Sequence, residues 1–184
     1  LPSKQWVGSS NLPRRAIFCF NLIMFKVAAL YKFSEIDNPL EIQISLKKTL
    51  KELSIYGTIL VGSEGINGTI ASEDKENLNI ALIYLRGLQG FEDLDIKLSD
   101  SKKNPFIRLK IKIKDEIVTI GDKSIDPIKT VGEYVKPEDW NSLLQADDIL
   151  LIDTRNDYEH SIGTFRDSIN PKTKKFRDFP KWLK

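Results

Sequence analysis

Between Phe25 and Ser99 the apolar residues change period in a set order: two, near four, two, two, near four, two. Period two marks strands and a period near 3.6 marks helices, so this order constrains the fold more than any other feature of the chain. Phe25, Val27, Ala29, Tyr31 and Phe33 alternate with Lys26, Ala28, Leu30 and Lys32, which predicts a strand with one face buried. Asp37-Asn38-Pro39 supplies turn chemistry. A helix is predicted over Leu40–Leu53, with Ile42, Leu46, Leu50 and Leu53 on one face and Lys47, Lys48 and Lys51 largely off it. Gly57 punctuates before a strand over Thr58–Val61. The stretch Ser72–Glu76 opens a second helix with a serine cap and early carboxylates, and Leu78, Ala81, Leu82 and Leu85 form its apolar face. Asp95–Ser99 closes the set as a strand. The order β-α-β-β-α-β is the ferredoxin-like α+β arrangement, in which two helices on one sheet face bury both leucine stripes.

Inside that pattern lies Gly62-Ser-Glu-Gly-Ile-Asn-Gly-Thr69. Gly62, Gly65 and Gly68 free the backbone to reach positive φ or to approach a partner closely, and Glu64, Asn67 and Thr69 add polar groups. Two readings fit: a loop that cradles a ligand or an RNA phosphate, or a hairpin turn with a bulge. No Gly-Lys-Ser/Thr follows, so the spacing matches no phosphate loop, and the hairpin is favoured.

Composition excludes several classes. Across 184 residues, 28 Lys+Arg against 26 Asp+Glu leave a net charge of +2, so any nucleic-acid affinity must come from a local patch. One cysteine, Cys19, cannot form an internal disulfide, and with the single histidine, His160, it cannot build the usual zinc site. No metal site is expected. Before Met24, Pro2, Gly8 and Pro13 mark a loop or disordered lead, and Met24 reads as the natural start, with 1–23 an extension. Arg14 and Arg15 precede an apolar run, as in a secretory signal, but no small-residue cleavage site follows and the run is too short to span a bilayer.

A local patch does exist. From Ile107 to Lys114, Ile107, Leu109, Ile111 and Ile113 alternate with Arg108, Lys110, Lys112 and Lys114. Asp115-Glu116 is read as a turn into Ile117–Ile120, giving a hairpin. Four cations on one strand face are candidate RNA-binding residues; the blander alternative, a solvated edge kept soluble by lysines, is favoured on the residues alone.

Gly121–Thr130 reads as a linker. Beyond it, Pro137–Leu144 is predicted as a short helix and Ile149–Ile152 as a buried strand with Asp153-Thr-Arg155 at its carboxyl end, the place where α/β sites gather. His160 reads as a surface residue. Lys172, Lys174, Lys175, Arg177, Lys181 and Lys184 interleave with Phe176, Phe179 and Trp182, which suits either RNA contact or exposed core.

Asp153-Thr-Arg155-Asn-Asp-Tyr158-Glu159, followed by Ile162-Gly163-Thr-Phe165 and Ser168-Ile-Asn-Pro171, resembles the first half of a rhodanese domain. Together with the glycine-rich segment and the stretch from Arg108 through Gly121, it resembles the rhodanese-related tRNA wobble-uridine hydroxylases from Met24 onward. The resemblance implies a cytoplasmic tRNA-modifying oxidoreductase that acts on tRNA with molecular oxygen as co-substrate and no bound cofactor. It implies a ferredoxin-like domain with a β-hairpin over 24–121, a linker over 122–130 and a partial rhodanese domain over 131–184. The family's reactive cysteine sits in a Cys-x-Gly-Gly-x-Arg type loop expected after Lys184, so no catalytic residue is assigned, Cys19 is not carried over as the nucleophile, and these residues alone are expected to be inactive. Asp153, Arg155 and Glu159 match the family pattern, where the first two are expected to brace the active-site side of the sheet. Thr164 stands where many rhodaneses have histidine, and Asp167 where glycine is common. A rhodanese-type sulfurtransferase or a non-catalytic RNA-binding fragment are the alternatives.

Overall fold

The computed structural model describes residues 24–121, 129, 132–146 and 148–184. The expected extension over 1–23, with Cys19, and most of the expected linker over 122–130 lie outside the described residues. Strand β1 (Phe25–Phe33) leads to helix α1 (Pro39–Glu52), strands β2 (Tyr56–Gly62) and β3 (Gly65–Ser72), helix α2 (Lys75–Arg86) and strand β4 (Asp95–Ser101). Strand β5 (Leu109–Ile113) follows, then the short helices α3 (Trp140–Leu143), α4 (Asp157–Ile162) and, after a 3-10 turn, α5 (Phe179–Leu183).

The sheet runs β4-β1-β3-β2-β5. The first four strands pair antiparallel in the ferredoxin-like order, and β5 joins β2 in parallel. Both helices lie on one face. Leu46 and Leu50 of α1 and Leu78, Ala81, Leu82 and Leu85 of α2 bury against Ala28, Leu30, Ile59, Val61, Ile66 and Ile70 of the sheet. Each fully buried leucine or isoleucine there contributes on the order of 2 kcal/mol of transfer free energy. Phe91 and Leu94 close the end of this core before β4.

Helix ends follow local chemistry. The Asn38 side chain accepts from Glu41 N ahead of Pro39, capping α1. The Asp74 carboxylate accepts from the Glu76 and Asn77 amides and caps α2. Asp74 therefore holds the position expected for Ser72, which instead ends β3, is buried, and accepts from Asp74 N. A cap must precede the first turn and face its free amides; the register of β3 leaves Ser72 two residues too early.

Three further expectations change. Residues 117–120 form no strand, so the expected hairpin after β5 is absent, and β5 pairs with β2 instead. The side chain of Gln43 on α1 donates to Ile111 O, fastening β5 to that edge. Ile149–Ile152 is not a buried strand: only a single parallel bridge, Ile152 to Ile169, forms, and Leu150 remains 66% exposed. Pro137 lies in a turn ahead of α3, which is shorter than the helix expected over Pro137–Leu144. None of the helices among the described residues is long and apolar enough to cross a membrane.

Candidate functional site

The glycine-rich segment is a two-residue hairpin. Gly62 pairs with Gly65 across Ser63 and Glu64, and the β2–β3 register continues without a bulge to Tyr56 and Ala71. Its polar groups are used internally. Ser34 N donates to Glu64 O and Ile36 N donates to Ser63 O, so the turn holds the chain leaving β1. Glu64 Oε1 accepts from Ile117 N at 2.6 Å, and Asn67 Nδ2 donates to Ile117 O at 2.9 Å. Both backbone groups of Ile117, which is only 1% exposed, are thus satisfied by the hairpin. Gly65 has φ +142°, and a Cβ there would lie 2.1 Å from Lys32 O. Only glycine fits such a close approach at positive φ. A Cβ at Gly68 would lie 2.5 Å from the Thr58 carbonyl, with Thr69 opposite Thr58 and Ala29 on the other sheet face.

That other face carries the basic strand. The register lines up Lys97, Ala29, Thr69, Thr58 and Lys110 as one row across all five strands, on the side away from the helices. A second row holds Asp95, Tyr31, Asn67, Leu60 and Lys112. Lys97, Ala29, Lys110 and Lys112 are exposed. Arg108 precedes β5 and its carbonyl accepts from Gly57 N, placing it beside β2; Lys114 follows β5 and donates its amide to Val61 O. The four predicted cations therefore sit at the β5 edge of the sheet, with Lys110 and Lys112 on the open face. Lys97, at the opposite edge, and Tyr31, between them, were not singled out from the sequence, because only the pairing register brings them into these rows.

Asp153 forms a second centre. The chain bridges at Ile152 and Ile169, with Asp153 N donating to Ile169 O and Ile169 N donating to Leu151 O, and α4 lies in the connection. Asp153 thus stands at the carboxyl end of a small parallel pair. Arg155 grips it twice, Nε to Oδ1 at 2.9 Å and Nη2 to Oδ2 at 2.6 Å, and the Arg155 amide adds a third bond. Arg155 Nη2 also donates to Gly163 O, and Thr164 Oγ1 donates to Asp153 Oδ2 while receiving a bond from Ser168. The paired Arg155 guanidinium, with Thr164 and the Arg155 amide assisting against burial, holds the Asp153 carboxyl far below the usual carboxylate range. An ionised carboxylate with its oxygens occupied braces a turn and does not shuttle protons. Glu159 is separate: it closes the capping box of α4 with Asn156.

Thr164 therefore has a clear partner, and Asp167 adopts φ +61°, the region glycine favours. His160 differs from the surface residue expected: its Nε2 is buried without a hydrogen-bond partner among the described residues. The basic tail meets the first domain at a cleft of about 390 Å³ lined by Val118, Thr119, Asn156, Lys174, Lys175, Phe176 and Arg177. Phe176, Phe179 and Trp182 stack on one another beside it.

Residues 25–117 match the UPF0176 acylphosphatase like domain, which spans β1 through the pinned Ile117. The chain belongs to this family. The acylphosphatase-like domain is continuous with residues similar to curated proteins named tRNA uridine(34) hydroxylase. The one from Rhizobium etli is 48% identical over 160 residues, covering 87% of this chain and 52% of the relative. The one from Acaryochloris marina is 48% identical over 159 residues, covering 86% and 51%. The chain thus spans about half the length of the curated relatives it matches. A solved acylphosphatase from Coxiella burnetii aligns with 49% of this chain and 92% of that chain at 11% identity and a TM-score of 0.34.

Proposed function

We propose that this chain supplies the tRNA-engaging half of a tRNA uridine(34) hydroxylase. The acylphosphatase-like domain handles RNA, and residues 132–184 open a rhodanese-like unit braced by Asp153 and Arg155. The observation that carries this reading is the 48% identity to proteins so named, which runs through both parts of the chain over 160 residues. The Asp153–Arg155 brace beside the Ile152–Ile169 bridge, with Thr164 and Gly163 gathered around it, is what a rhodanese-like opening would require. In this reading tRNA is the substrate, uridine at the wobble position becomes 5-hydroxyuridine, and molecular oxygen is the co-substrate. Cys19, ahead of β1, is given no chemistry. A tRNA-modifying role also places the protein in the cytoplasm.

The test uses the protein at the length its gene encodes, incubated with tRNA bearing uridine at position 34, in air and under argon. Nucleoside mass spectrometry should find 5-hydroxyuridine in the aerobic reaction only. Thiocyanate formed from thiosulfate and cyanide, with no hydroxylated nucleoside, would replace this reading with a sulfurtransferase. The Asp153–Arg155 brace is the observation that favours that second reading.

A further inference from the structure

Helices cover the sheet of the acylphosphatase-like domain on one face only; on the other face Ile117 packs over Gly62 and Gly65 at the hairpin end, and the remainder is chemically graded. Its middle row has small or short side chains, Ala29, Thr69 and Thr58, between Lys97 at one edge and Lys110 at the other. Ala29 lies on β1, an interior strand, yet it is exposed, and its row neighbours Thr69 and Thr58 are half-exposed. Four strand spacings separate the two lysines, about 19 Å at the usual strand separation. The adjacent row puts Tyr31 between Asp95 and Asn67, with Lys112 at its far end. The Tyr31 ring packs edge-on against Phe33 at 5.2 Å, which fixes it in place. Burial first, then the Tyr134 and Glu64 charges, raise the Tyr31 phenol above its ordinary value. Asp95 is the acidic side chain within these two rows, against three lysines.

A sheet face with an aromatic ring held against its neighbour and cations at both edges suits a particular ligand. Single-stranded RNA exposes base faces that stack on aromatic rings, and its phosphates run along the edges of such a platform. A duplex hides its base faces and would meet only the lysines.

We infer that the open sheet face, with Tyr31 as stacking ring and Lys97, Lys110 and Lys112 as phosphate contacts, binds an unpaired RNA loop. This deepens the proposed function and rests on it for the identity of the RNA: the loop is the one that carries the target uridine. The loop would lie across the sheet from β4 to β5, with at least one base on Tyr31.

The experiment is fluorescence anisotropy on the 184-residue chain with a labelled 17-nucleotide anticodon stem-loop and, in parallel, a fully paired RNA of equal length, across a salt series. The stem-loop should bind more tightly than the duplex. Lys97→Gln/Lys110→Gln/Lys112→Gln should lower the slope of log affinity against log salt by about 2, from roughly 0.7 for each lost contact to a single strand. Tyr31→Leu should weaken binding about tenfold, and Tyr31→Phe, which keeps the stacking ring, should stay within about twofold of the parent. Lys47→Gln/Lys48→Gln, on the helical side, should leave binding unchanged. Circular dichroism on each variant confirms the fold. Equal affinity for the duplex, parental binding by the triple-lysine variant, or an equal loss from the helical-side pair overturns the inference. If the full-length protein hydroxylates tRNA while these variants bind normally, this inference falls and the proposed function stands. If the open face binds the loop as described but no hydroxylated uridine forms, the proposed function falls and the RNA-binding face stands.

Discussion

Replacing Glu64 with alanine tests whether the glycine-rich hairpin is built for internal support. Glu64 Oε1 accepts from Ile117 N at 2.6 Å, and Ile117 is 1% exposed. Without that acceptor the amide is left buried and unpaired. A hydrogen bond to a charged group contributes about 1.5–3 kcal/mol, and an orphaned buried donor costs on the order of 1–3 kcal/mol. Because these describe the same loss from two sides, the expected destabilisation is about 2 kcal/mol. Glu64→Gln keeps an acceptor of similar shape and should cost about half as much. At a urea m-value near 2 kcal/mol/M, Glu64→Ala moves the unfolding midpoint down by about 1 M. Far-UV circular dichroism gives the midpoint, and amide hydrogen exchange read at Ile117 gives the local effect, which should be faster exchange in Glu64→Ala than in Glu64→Gln. Asn67→Ala removes the bond to Ile117 O. Since both side chains hold one residue, the double variant should lose less than the sum of the two singles. An unchanged midpoint and unchanged Ile117 exchange, with RNA binding abolished, would show that Glu64 serves a ligand and would refute the structural account.

Gly65→Ala should destabilise by about 3 kcal/mol, since φ +142° and a Cβ 2.1 Å from Lys32 O leave an L side chain no relaxed position; a thermal melt within a degree of the parent would contradict this. Asp74→Ala should cost about 1 kcal/mol in urea titration by removing the α2 cap, and Asp74→Ser should recover most of it; equal losses would remove the cap from the explanation. Asp153 has a folded pKa below its unfolded value near 3.9, so its contribution is complete above about pH 4 and drains away as pH falls toward the folded value. Asp153→Asn should therefore be less stable than the parent at neutral pH, with a gap that narrows on acidification; a gap independent of pH between 6 and 3 would count against the brace.

Much of the first domain was legible because its elements announce themselves locally. The expectations for β1, α1 and β4 land within a residue or two, since their alternation, turn residues and leucine spacing are properties of short windows. What windows cannot give is the identity of a neighbour. In β1 one alternating set, Phe25, Val27, Ala29, Tyr31 and Phe33, is wholly apolar and the other carries Lys26 and Lys32, yet the structure buries Ala28 and Leu30 of the second set and leaves Ala29 and Tyr31 to the open face. The same limit explains β5. Its alternation made a strand plausible, but pairing with β2 depends on Gln43 and on an edge created by residues about fifty positions earlier.

The two halves of the candidate site were unequally readable for a related reason. Asp153 and Arg155 lie two positions apart, so their pairing could be expected from the motif, and the observed geometry is that of a brace. Thr164 enters only because the connection through α4 returns it to Asp153 eleven positions later. The glycine-rich segment resembled a ligand cradle because glycines and polar residues mix there, yet Glu64 and Asn67 bond Ile117, more than fifty positions along the chain from Glu64. A cradle and a support hairpin need the same residues; the difference lies in whether the chain itself supplies the occupant. Here it supplies Ile117. The surface left open is the sheet face beyond the hairpin, where Lys97 and Lys110, thirteen positions apart in the chain but separated by three strands, lie at the two ends of one row. An RNA-handling role for this domain is therefore better sought in that register than in the glycines that first attract attention.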